Sequence, residues 1–117
     1  MTAGVVVGLD IGTTTSKALV RRLGRPGSLV VQQPTRWQAG PDGHTELAAP
    51  AFLELAVELI GLAVRAAEGA WGTVAVGAVS VGGIAESGIL LDPAGRPAEP
   101  AIAWFDPRGE DLSLIHI

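Results

Sequence analysis

One run near the start constrains this chain more than any other: Gly4-Val5-Val6-Val7-Gly8-Leu9-Asp10-Ile11-Gly12-Thr13-Thr14-Thr15-Ser16-Lys17-Ala18-Leu19-Val20. Val5, Val6, Val7 and Leu9 form a short apolar, β-branched stretch that suits a strand covered on both faces. Asp10 places a carboxylate where that strand emerges, and Gly12 permits a tight turn. Hydroxyl residues and Lys17 follow, and the chain continues as a second strand. Successive backbone N–H groups, hydroxyls and one ammonium can surround an anion, while Asp10 can hold the accompanying cation. The combination fits a nucleotide phosphate with Mg²⁺. The competing reading is a hairpin turn whose polar residues face water. It is not the glycine-rich loop that ends in Gly-Lys-Ser/Thr and opens a helix.

Composition narrows the classes. At 117 residues the chain is one domain at most. A net charge of −4, with Lys and Arg scattered, argues against nucleic acid as a partner. The absence of cysteine excludes a disulfide framework and a thiolate metal site, and accords with a cytoplasmic location. Met1-Thr2-Ala3 lacks a positive leader region, which predicts no signal peptide. Ala48–Ala67, the longest apolar stretch, carries Glu54, Glu58 and Arg65, which excludes a simple membrane span.

Taken in order, Lys17–Leu23 pairs with the first strand, Gly24-Arg25-Pro26-Gly27 turns, and Ser28–Gln33 is a third strand ended by Pro34. These make an antiparallel meander. Arg36–His44 reads as a loop, with His44 solvated. Ala49–Glu68 is the clearest helix: Glu54, Glu58, Gly61, Arg65 and Glu68 form one narrow polar stripe on a 3.6-residue period. Pro50 suits its first turn and Gly69 its stop. The wide apolar remainder predicts contact on more than one side. Gly72–Ser80 follows as a buried strand marked by Val74, Val76, Val79 and Val81, giving a crossover and a parallel pairing. Gly82-Gly83 opens a loop at its carboxyl end, where ligands gather in open α/β sheets. Ile89–Asp92 reads as a short strand and Asp92–Gly95 as a turn.

Three segments together carry a resemblance. Asp10-Ile11-Gly12-Thr13-Thr14-Thr15-Ser16-Lys17 resembles the first phosphate motif of the FGGY carbohydrate kinases. Val79–Asp92, containing Gly82-Gly83-Ile84-Ala85-Glu86 and closing on Leu90-Leu91-Asp92, resembles that family's acceptor loop. Ala101-Ile102-Ala103-Trp104-Phe105-Asp106-Pro107-Arg108 resembles its apolar-Trp-x-Asp-x-Arg segment. All occur in the family's order across residues 4–108. The resemblance implies an α/β chain of the ribonuclease-H-like, actin-like ATPase fold, with a mixed sheet of three antiparallel opening strands and then a βαβ crossover, present as an incomplete domain over residues 1–111. It implies ATP and Mg²⁺ as cofactors, and phosphoryl transfer to a sugar or polyol hydroxyl by a protein that forms a homodimer at full length. Asp10 would hold Mg²⁺, and Thr13, Thr14, Thr15 and Lys17 would bind phosphate. Glu86, Trp104, Asp106 and Arg108 would lie at the acceptor, with Asp106 and Arg108 either meeting it or, the favoured reading, orienting one another as an ion pair. Trp104 either packs on a sugar face or serves the core.

Departures from the family pattern bear on the acceptor. Ala85 stands where glycerol kinases carry arginine, and the Met-His-Gly of xylulose kinases is absent, so which sugar is used stays open. The family's general base and second ATPase lobe lie beyond residue 108, so these 117 residues are expected to show no turnover alone. Leu112-Ser113-Leu114-Ile115-His116-Ile117 continues no pattern and is expected to be a non-native tail. The alternative functions are a non-catalytic regulator of the actin-like group and a stand-alone interaction module.

Overall fold

Strand β1 (Ala3–Ile11) sorts its side chains by simple alternation: Val5, Val7 and Leu9 are buried, while Asp10 is exposed on the other face. Strand β2 (Thr15–Arg22) returns antiparallel, setting Leu9 opposite Ala18 and Asp10 opposite Lys17. Strand β3 (Ser28–Pro34) pairs antiparallel with β2. Helix α1 (Ala49–Trp71) follows, and strand β6 (Val74–Gly83) then runs parallel to β1. The resulting sheet has the order β3-β2-β1-β6. The expected meander followed by a βαβ crossover is therefore the observed topology. The computed structural model describes residues 2–84 and 87–109. The described chain divides into two compact units, one built on residues up to Thr35 and on Glu54–Ile84, the other on Arg36–Leu53 and the described residues past Ile84.

The core of the first unit lies between one sheet face and one helix stripe. Leu55, Leu59, Ala63 and Ala67 recur every four residues and are fully buried against Val5, Val7, Leu9, Ala18 and Val20. The alanines let helix and sheet backbones approach. The helix continues past the expected stop at Gly69 to Trp71, because Gly72, with φ of +79°, supplies the left-handed residue that ends it. Trp71 is partly buried against the core, and Arg22 lies over its ring at 5.7 Å.

Two burial expectations are corrected. Only the helix-facing side of β1 is covered among the described residues; Val6, on the other side, stays partly exposed. Strand β6 is not buried: it sits at the sheet edge, with Val76, Val79 and Val81 at 40%, 45% and 71% exposure. The unequal spacing of its valines has a structural cause. Val5 partners Val76 but Val6 partners Ala78, so Gly77 is the extra residue of a bulge. The bulge shifts the alternation by one, and Val76, Val79 and Val81 align with Val5, Val7 and Leu9 on one face.

The second unit contains elements not expected from the sequence. Strands β4 (Gln38–Ala39), β5 (Thr45–Leu47) and β7 (Ala101–Ile102) form a small antiparallel sheet in the order β4-β5-β7. The stretch expected as a loop thus holds β4 and a 3₁₀ turn at Pro41–Gly43. Leu47, Ala101 and Ala103 are buried. Trp37 meets Phe52 and Phe105 edge-on, with ring centroids 5.8 and 6.1 Å apart. The strand expected over Ile89–Asp92 reduces to one bridge, Leu91 to Pro97, around a turn in which the Asp92 carboxylate accepts from the N–H groups of Ala94 and Arg96. No helix among the described residues is long and apolar enough to cross a membrane.

The burial pattern makes a direct test. Leu59→Ala opens a cavity under the helix and should cost about 2–5 kcal/mol. Val57→Ala, at an exposed position of the same helix, should stay within about 0.5 kcal/mol. Urea denaturation of both variants checks the difference.

Candidate functional site

The turn between β1 and β2 is held from inside. Strand alternation turns Ser16 inward, where it is fully buried. Its hydroxyl lies 2.7 Å from that of Thr35, and the Thr35 hydroxyl donates to the Gly12 carbonyl at 2.6 Å. A hydroxyl has one proton, so Thr35 has none left for Ser16, and Ser16 is the donor of the pair. The Thr35 N–H also donates to the Thr14 carbonyl at 2.9 Å. Thr35, a hydroxyl residue directly after the strand-ending Pro34, therefore fixes both sides of the turn. Its role was not expected from the sequence; the only cue is a hydroxyl placed where a loop begins.

Two glycines let backbones close up at this end of the sheet. A Cβ on Gly12 would lie 2.4 Å from the Thr15 carbonyl oxygen, and one on Gly83 would lie 2.8 Å from that of Ile11. Both distances are shorter than any side chain tolerates, and in both cases the obstacle is backbone. The Ile84 N–H donates to the same Ile11 carbonyl at 3.0 Å.

Inward Ser16 and Ala18 leave Thr15 and Lys17 on the face away from the helix, which Asp10 shares as the cross-strand partner of Lys17. Gly82 is the neighbour of Asp10 on the other side. Among the described residues no hydrogen bond or ion pair engages the side chains of Asp10 or Lys17. An exposed carboxylate and an exposed ammonium thus stand side by side at the carboxyl end of β1, next to the Thr13-Thr14 turn. No group of three or more His, Asp or Glu close enough to hold a metal exists among the described residues. A cation here would have Asp10 as its carboxylate, which suits Mg²⁺, an ion that keeps several of its waters.

The second unit carries a hollow of about 570 Å³, lined in part by Glu46, Leu90, Glu99, Trp104, Asp106 and Arg108. Trp104 is 54% exposed and packs edge-on to Phe105, with centroids 5.5 Å apart. Asp106 has a side chain shut off from solvent. Its Oδ1 accepts from the Arg108 N–H and Nε at 2.9 Å each, and its Oδ2 accepts from Arg108 Nη2 at 2.7 Å and from the Thr45 N–H at 2.6 Å. Arg108 also donates through Nη1 to Glu46 at 3.0 Å. The hydrogen bonds from the Arg108 side chain hold the Asp106 carboxyl far below the usual range, against the desolvation that opposes them and with help from the N–H groups of Thr45 and Arg108. The same pairing raises Arg108 above its ordinary value. The ion pair expected between Asp106 and Arg108 is present, and Glu46 is a third member not expected from the sequence. Its cue was the alternation at Thr45-Glu46-Leu47, which points Leu47 inward and Glu46 out. Glu86 lies outside the described residues, as does the tail at residues 112–117.

A depressed carboxyl in the folded state contributes stability that is full above its unfolded pKa and lost as pH falls through the folded one. The contribution of Asp106 should therefore be complete above about pH 4 and decline only in stronger acid. Asp106→Asn should be less stable at neutral pH and should lose less on acidification than the parent. Urea unfolding at stepped pH, followed by tryptophan fluorescence, checks this; equal acid slopes in the two proteins would contradict it.

No family model matches the chain, and no curated protein matches it in sequence. Solved structures do. A gluconate kinase from Lactobacillus acidophilus superposes with a TM-score of 0.78 at 18% identity, over 97% of this chain and 22% of that one. A xylulose kinase from Rhodospirillum rubrum gives 0.75 at 28% identity, over 96% of this chain and 23% of that one. A glycerol kinase from Plasmodium falciparum, solved with ADP, gives 0.78 at 17% identity, over 98% of this chain and 23% of that one. The resemblance to FGGY carbohydrate kinases carried by the three motifs is thus met in structure by sugar kinases. The fold is theirs, the actin-like ATPase fold, present as a partial domain. The chain spans less than a quarter of the length of these structures.

Proposed function

We propose that this chain is part of an ATP-dependent carbohydrate kinase that transfers the γ-phosphoryl of ATP to a hydroxyl of a sugar or polyol. The observation that carries the reading is the pairing of exposed Asp10 and Lys17 beside a glycine turn, on a fold shared with sugar kinases over nearly the whole chain. Transfer of this kind is mainly positioning and neutralisation of charge. Mg²⁺, when bound, offsets charge on the phosphate oxygens. Asp10 would hold that ion by its carboxylate. Thr13, Thr14 and Thr15 donate hydrogen bonds to phosphate oxygens, and Lys17 meets their charge with an ammonium. The Ser16–Thr35–Gly12 chain keeps the turn in one shape.

On the acceptor side, Trp104 offers an aromatic face to the C–H groups of a sugar, and Glu86 accepts from its hydroxyls. Arg108 is held in place by Asp106 and Glu46 and borders the same hollow. Asp106 serves by fixing Arg108, since each of its oxygens is already engaged. The proton acceptor for the attacking hydroxyl is supplied outside these residues, so the 117-residue chain alone gives no turnover. A cytoplasmic location accords with the supply of ATP and with the lack of cysteine.

The test uses the complete gene product. It should phosphorylate at least one of glycerol, xylulose and gluconate with ATP and Mg²⁺. Asp10→Asn should lower that rate by about 10- to 100-fold, with the loss partly recovered at high Mg²⁺. Phosphorylation unaffected by Asp10→Asn would overturn the assignment of the metal, and refusal of every sugar would overturn the kinase reading.

A further inference from the structure

The hollow beside Trp104 has a charge balance that bears on which acceptor it takes. Three carboxylates line it, those of Glu46, Glu99 and Asp106, against one cation among the described residues, Arg108. The guanidinium is already matched, at 2.7 Å by Asp106 and at 3.0 Å by Glu46. Three of its five N–H groups are committed to those partners.

We propose that this hollow selects an uncharged sugar or polyol and disfavours an acceptor that carries a carboxylate. The inference rests on the kinase reading above and narrows it. A carboxylate entering the hollow would add a negative charge to a net negative surround. It would find no unmatched cation among the described residues, and it would share Arg108 with two carboxylates already bonded to it. A hydroxyl faces neither cost. It can donate to Glu46 or Glu99 and accept from an N–H that Arg108 has left over, while Trp104 packs against the adjoining C–H groups. Screening does not remove the difference, because at about 0.15 M salt the Debye length of about 8 Å is comparable to the width of such a hollow.

The experiment measures binding of xylulose and gluconate to the complete gene product by calorimetry without ATP, alongside phosphorylation of each with ATP. Xylulose should bind about tenfold more tightly than gluconate, the scale of a few partly screened charge interactions. Glu46→Gln and Glu99→Gln should each shift the ratio toward gluconate by about threefold. The parent's preference should also shrink as salt rises from about 0.05 M to about 0.5 M, a response that loss of packing alone would not give. Gluconate bound as tightly as xylulose, or a ratio that neither variant moves, overturns this inference and leaves the kinase reading intact if either sugar is phosphorylated. If neither sugar nor glycerol is bound or phosphorylated, both fall together.

Discussion

The first unit depends on a backbone contact too close for any side chain. At Gly12 the main chain passes so near the Thr15 carbonyl that a single added carbon would collide with it. That approach makes the turn between β1 and β2 tight, and the tight turn brings Asp10 and Lys17 into register across the strands. The contact is kept by polar groups on the inside: buried Ser16 donates to Thr35, and Thr35 donates to Gly12. Buried hydroxyls that are fully matched cost little and fix one geometry; mismatched ones would favour another. The apolar core behind them supplies cohesion, and the hydroxyl chain supplies shape.

The second unit solves a different problem with charge. Its strands are two or three residues long, too short for a sheet to stand on its own ladders. Asp106 ties the segment after β7 to β5 through the Thr45 N–H, and Arg108 ties it again through Glu46. The Ala103 N–H reaches the Thr45 carbonyl at 3.0 Å, which continues the pairing past the end of β7. Around this knot the aromatic contacts of Trp37, Phe52 and Phe105 provide the apolar part. Trp104 is left half exposed beside the fixed guanidinium.

Much of this was legible in the residues, and the parts that were not have identifiable causes. The opening strands, the helix and the crossover follow from period-two and period-3.6 patterns, which are local. The end of the helix is not legible because Gly69 and Gly72 look alike in sequence, and of the two only Gly72 takes a positive φ. The exposure of β6 is not legible because valines announce a strand, not what covers it. The small sheet was hidden because β5 and β7 are more than fifty residues apart and each is only two or three residues long. At the site, Asp10, Lys17, Asp106 and Arg108 were visible as motif residues, whereas Thr35 and Glu46 act through distant partners that no local pattern reveals.

The bulge at Gly77 has a consequence of another kind. It collects three half-bare valines on one side of a strand that, among the described residues, pairs only with β1. Val74–Gly83 has no charge and no proline, the two devices that commonly discourage an edge from recruiting another chain. Wherever that margin stays uncovered during synthesis or after cleavage, the bulge, a third such device, is what Val74–Gly83 itself sets against recruitment of another strand.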